Sequence, residues 1–143
     1  MIPLPVNWVA VVLAAVASFV IGMVWYSPAM FGKEWMKELG MSPKDIANMT
    51  KKGMKMKGME STLIKSFIGS LIMAYILAQF LLATLAFGIG DAMLTAFWIW
   101  LGFVAVIMYN GVLYEKKTDK WFWMSSLYYL VALLVMAIIL ISL

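Results

Sequence analysis

Four stretches of this chain carry no charged side chain over more residues than the roughly 20 that a helix needs to cross a hydrocarbon core: Ile2 to Gly32, Ser66 to Gly90, Ala92 to Tyr114 and Trp121 to Leu143. In lipid every backbone N–H and C=O must be satisfied within the protein, so such stretches fold as helices or as a closed barrel. The alternating segments of roughly ten residues that a barrel requires are absent from the sequence. The fold class is therefore all-α integral membrane, with four transmembrane helices over about 6–27, 63–87, 92–113 and 121–142. Short amphipathic helices occupy the loop 28–62 between the first two. In a chain of 143 residues, 65% hydrophobic and 13% charged, this makes one membrane domain and leaves little for a soluble one.

Charge placement sets an expected orientation. The eleven basic residues are all lysines: eight lie between Lys33 and Lys65, and the others are Lys116, Lys117 and Lys120. Excess Lys in alternate loops is the positive-inside pattern. It predicts cytoplasmic lysine loops, with the N-terminus, the Phe87 to Asp91 turn and the C-terminus outside. Ala15-Val16-Ala17 imitates a signal-peptidase site, but no basic residue precedes the apolar run, which continues to Tyr26; the expectation is a retained first span. The net charge of +4 then reads as attraction to anionic lipid headgroups. Nucleic acid is not an expected partner, because without Arg there is no bidentate fork for base or phosphate.

Absent residue types exclude whole chemistries. The chain has no cysteine and no histidine, which removes disulfides, thiolate nucleophiles, imidazole acid–base catalysis, and Cys or His ligation of zinc or haem. Outside the lysine loop the acidic residues are Asp91, Glu115 and Asp119, all at expected interfaces. No nucleotide loop or nucleophile elbow is present, so neither catalytic residues nor a cofactor or metal site are expected. Thioethers of Met54, Met56 and Met59 suit Cu(I) in principle. A mobile membrane-contacting linker accounts for this stretch better, since no Cys or His supplements it.

Within the spans, small residues recur at i+4. Ala10, Ala14, Ser18 and Gly22 form one stripe on the first span, and Ser66, Ser70, Ala74 and Ala78 form a second on the next. Such stripes let two backbones approach closely, which predicts a tight antiparallel pair with Gly22 nearest Ser66 and Ala10 nearest Ala78. Gln79 and Asn110 are intramembrane amides that need partners; for Gln79 the expectation is an interhelical hydrogen bond. Trp8, Trp25, Tyr26, Trp35, Trp121 and Trp123 fall where amphipathic rings settle at membrane interfaces. Ser27-Pro28 and Ser42-Pro43 each read as an N-cap followed by proline at the first helical position. The first would start a helix whose apolar side, Phe31, Trp35, Met36 and Leu39, rests in the headgroup layer, with Lys33, Glu34, Lys37 and Glu38 on the other side. The aliphatic end of the fourth span is expected to face lipid or another subunit.

Asn7-Trp8-x-Ala10, then Trp25-Tyr26-Ser27-Pro28, then Phe31-Gly32-Lys33-x-Trp35-Met36, with four spans in all, resembles a group of small bacterial membrane proteins classed as a domain of unknown function. The likeness covers nearly the whole chain and is sharpest from Asn7 to Met36. It implies the architecture and a location in a prokaryotic cytoplasmic membrane, and it brings no site residues. The functional expectation is thus a structural bundle that forms a homo-oligomer or joins a larger membrane complex, with no catalytic activity. The alternative is an oligomeric channel or transporter lined by Gln79, Asn110, Tyr75 and Tyr109. Proton-coupled export is disfavoured, because it needs a carboxylate within the bilayer and no span contains one well inside it.

Overall fold

The computed structural model describes residues 3–51 and 60–143. Among them are α1 (Trp8–Trp25), α2 (Gly32–Glu38), α3 (Pro43–Lys51), α4 (Glu60–Ala83), α5 (Ile89–Ile99), a π-helical turn (Trp100–Ala105), α6 (Val106–Tyr114) and α7 (Asp119–Ser142), with no strand. The helices Trp8–Trp25, Glu60–Ala83, Ile89–Tyr114 and Asp119–Ser142 are each long and apolar enough to cross a membrane. The third span is thus continuous through α5, the π turn and α6. The methionine-rich stretch from Met54 to Met59, considered above for Cu(I), lies outside the described residues.

Local chemistry explains where the helices begin. Asn7 caps α1, its side-chain oxygen accepting from the N–H groups of Val9 and Ala10 at 3.1 and 3.4 Å, which satisfies donors that have no intrahelical partner. Ser42 caps α3 through the Asp45 N–H at 3.2 Å. Thr118 caps α7 through the Trp121 N–H at 3.0 Å. Ser27 differs from the expected N-cap. Its hydroxyl donates back to the Val24 carbonyl at 2.6 Å, closing the helix it leaves, and the chain runs through turns until α2 starts at Gly32.

The arrangement of the spans departs from expectation at its centre. α7 packs against α1, α4 and the third span, and 39% of its apolar stretch is buried, against 22% for the third span. Ala132, Leu133, Met136 and Ala137, in the aliphatic end expected to face lipid or another subunit, are core residues within the chain's own bundle. Hydropathy could not reveal this, since lipid and the interior of a membrane bundle are equally apolar and burial leaves no amphipathic signature. The start of α1 and the end of α7 meet at one end of the bundle, where the Asn7 amide nitrogen donates to the Leu143 carbonyl at 3.3 Å. The lysine-bearing α2 and the loop before α7 share the other end, where the Thr118 hydroxyl donates to a Glu38 carboxylate oxygen at 2.7 Å.

The two small-residue stripes are buried along most of their length. Ala10, Ala14 and Ser18 on α1, and Ser70, Ala74 and Ala78 on α4, are all buried, and Ala10 and Ala78 line one small cavity. Trp8 stacks on Tyr75 and Phe19 meets Phe67 edge-on between the same helices. At the lysine end the stripes part. Ser66 is exposed, and Gly22 turns to α7, where a Cβ would stand 3.0 Å from the Tyr128 hydroxyl. The small residue there admits an aromatic ring in place of a second backbone.

Candidate functional site

At the lysine end, an aromatic and hydroxyl cluster is assembled by the turn Trp25 to Gly32. The Phe31 N–H donates to the Trp25 carbonyl at 3.0 Å, and the N–H groups of Met30 and Gly32 donate to the Ser27 carbonyl at 3.0 and 2.8 Å. These bonds fold the start of α2 onto the end of α1 so closely that a Cβ on Gly32 would lie 2.6 Å from the Tyr26 carbonyl oxygen and 2.7 Å from the Ser27 carbonyl. The reversal sets the Phe31 ring 4.9 Å from Trp25 and the Trp35 ring 5.4 Å from Tyr26, centre to centre. Met36 is buried beneath them. Phe31, Trp35 and Met36 on the apolar side of this segment thus meet protein, with Phe31 and Trp35 left half-buried. Leu39 remains exposed.

Three polar side chains tie the cluster and its surroundings to helix carbonyls. The Trp25 indole N–H donates to the Met124 carbonyl at 3.0 Å, and the Tyr128 hydroxyl donates to the Ser18 carbonyl at 3.1 Å. From the opposite side of α7, the Trp100 indole donates to the Ser126 carbonyl at 2.7 Å. An unpaired N–H in lipid costs several kcal/mol, on the order of a lost buried hydrogen bond. Buried Ser125 and Ser126 leave the room on α7 that these large rings occupy. Among the described residues, two oxygens are enclosed without a partner, Glu34 Oε2 and Ser126 Oγ. Glu34 was expected on the solvated side with Lys33 and Lys37. Those lysines are exposed, whereas Glu34 is half-buried; its spacing alone gave no sign of this.

The intramembrane amides have different fates. Gln79 is buried and bonds to no other span: its Oε1 accepts from the Leu4 N–H at 2.8 Å and its Nε2 donates to the Leu4 carbonyl at 2.9 Å. It clamps the segment before α1. Asn110 is exposed on α6. Tyr75 is engaged with Trp8, and Tyr109 meets Phe122 edge-on. The four residues that suggested a polar passage thus lie in separate environments. Of the expected interface aromatics, Trp8 and Trp123 are exposed, whereas Trp25, Tyr26, Trp35 and Trp121 are half-buried. Trp100 in the third span is a buried anchor, while Trp98, two residues earlier, is exposed. No group of three or more Asp or Glu side chains that could hold a metal ion occurs among the described residues.

Four apolar spans, closed by side-chain bonds to helix carbonyls, define a small multi-pass helical membrane protein. The chain belongs to the family described as "Protein of unknown function (DUF1761)", whose model matches residues 9–141. No curated protein and no solved structure matches it.

Proposed function

We propose that this protein is a noncatalytic membrane bundle that self-associates through its third span and serves as a structural or accessory element of a prokaryotic cytoplasmic membrane. The observation that carries this reading is Asn110. Its side chain is exposed one turn inside the lysine end of a membrane-spanning helix, without a hydrogen-bond partner among the described residues, and a second helix could satisfy such an amide. Trp98, Gly102 and Val106 precede it at i+4 and are exposed as well. Gly102 has open space where a Cβ would be, so a second backbone can approach there.

The absence of native cysteine makes the test direct. A single cysteine at Val106 should give disulfide-linked dimers on oxidation in membranes, whereas one at Val12, exposed on α1, should not. Asn110→Leu should weaken association by roughly threefold to thirtyfold, as expected for an interhelical side-chain hydrogen bond of about 0.6–2 kcal/mol. A wild-type protein that stays monomeric in vesicles at every protein-to-lipid ratio would end this reading.

Orientation is a separate expectation. The lysine-bearing α2 and the loop before α7 meet at the same end of the bundle, so the positive-inside rule applies to them together. In intact cells an impermeant maleimide should label a cysteine at Gly90 and leave one at Lys117 unlabelled; the opposite pattern would invert the topology.

A further inference from the structure

A groove opens sideways between α4 and the third span, with α7 as its floor and a volume of about 660 Å³, within the range of roughly 300–1,000 Å³ usual for ligand sites. Ile72, Ile76 and Phe80 form one wall, Phe103 and Ile107 the other, and Tyr129 lies at the base. Along the third span its lining runs from Ile99 to Glu115, about 24 Å at the helical rise. One leaflet is half of a core about 30 Å thick, so the groove takes a full-length acyl chain.

Two features mark it as a built site. The wall contains the π-helical turn Trp100–Ala105, and π segments concentrate where function requires a helix to re-aim its side chains. Beside the mouth at the lysine end stands Lys117, itself exposed, whose backbone and stem contact residues that line the groove. Lys116 adopts φ 59°, a left-handed conformation costly for a residue other than glycine, and the Lys117 N–H then caps the Gly111 carbonyl at 3.2 Å. The Lys117 stem lies against Gly111, and its ammonium sits 5.3 Å from the centre of the Trp121 ring. Gly111 and Trp121 both line the groove. No ion pair engages this ammonium among the described residues, and its contacts with Gly111 and Trp121 keep it beside the end of the apolar slot.

We propose that the groove binds one anionic glycerophospholipid from the leaflet on the lysine side, with an acyl chain between α4 and the third span and the phosphate on Lys117. Glu115 lines the same mouth. Its carboxylate repels the phosphate but accepts from a headgroup hydroxyl, which favours a polyol headgroup such as phosphoglycerol.

The test is native mass spectrometry of the full-length protein in mild detergent with equimolar phosphatidylglycerol and phosphatidylcholine of matched chains. The wild type should retain one phosphatidylglycerol in roughly fivefold preference, the factor expected from one lysine at an anionic headgroup. Lys117→Gln should bring the ratio close to one, while Lys120→Gln, which removes the same charge outside the groove, should leave it unchanged. Ile107→Trp, at an exposed groove position, should displace both lipids by filling the slot. Equal retention of the two lipids by the wild type would overturn the proposal, as would a loss of preference in Lys120→Gln matching that in Lys117→Gln, or undiminished lipid retention in Ile107→Trp.

Discussion

Gly32→Ala should destabilise the protein by about 3 kcal/mol, the upper end of what overpacking costs in a close-packed interior. A Cβ at this position would meet the Tyr26 carbonyl oxygen at 2.6 Å and the Ser27 carbonyl at 2.7 Å. Because these are backbone atoms, no rotamer change relieves the contact. Either α2 lifts away from the end of α1 or the hydrogen bonds from Phe31 and Gly32 to the preceding turn lengthen. Both outcomes separate Phe31 from Trp25 and Trp35 from Tyr26, so the near-ultraviolet circular dichroism of the aromatic cluster should weaken together with thermal stability in detergent. Gly69→Ala supplies the control. It lies within α4 with nothing within 4 Å of a Cβ, and alanine there should be neutral or stabilise by up to about 1 kcal/mol, since it is the better helix former. If the two variants melted together, the close approach at Gly32 would be irrelevant to stability and the motif would need another explanation.

The motif shows what was legible in the sequence and what was not. Trp25-Tyr26-Ser27-Pro28 and Phe31-Gly32 are recognisable as a pattern, but the demand for glycine comes from a chain reversal that brings residue 32 over residues 26 and 27. Serine and proline in sequence also mark helix starts, and here Ser27 finishes the previous helix instead. The spans themselves were legible, because an uninterrupted apolar run of their length has few folds open to it in lipid. Which span lies at the centre was not. α7 is apolar on every side, and its small interior residues Ser125, Ser126, Ala132 and Ala137 resemble the small residues on α1 and α4. The stripes on α1 and α4 could be seen, yet their divergence at Gly22 and Ser66 depends on α7 inserting Tyr128, a tertiary fact. For Gln79 and Asn110, the need for partners followed from burying an amide in lipid. Their directions did not, since a helical position fixes an angle relative to its neighbours and leaves open which side faces the bundle.

Gln79→Leu should release the segment before α1 while leaving the four-helix core intact. Pro3 and Pro5 carry no N–H, so Leu4 supplies the backbone donor between them, and Gln79 satisfies both that donor and the Leu4 carbonyl at 2.8 and 2.9 Å. One primary amide can do this because it presents an acceptor and a donor side by side, the pairing that a neighbouring strand would offer. Leucine of similar size removes both bonds without leaving a cavity. The cost of orphaning polar groups is about 1–3 kcal/mol each when they stay buried, but Leu4 itself is 36% exposed and water can replace its partner once the segment lifts. The net loss of global stability should therefore be about 1–2 kcal/mol, at the low end of that range. The local effect should be larger: protection of the Leu4 amide against hydrogen exchange should fall at least tenfold, while amides within α7 should change only by the global loss. Gln79→Glu separates the two bonds, because a carboxylate still accepts from the Leu4 N–H but cannot donate to its carbonyl, and ionised carboxylates are poorly tolerated near the hydrocarbon. It should fall at least as far as leucine in stability, with Leu4 N–H protection partly retained. If Leu4 exchanged equally slowly in the wild type and in Gln79→Leu, the amide clamp would not be what holds the segment.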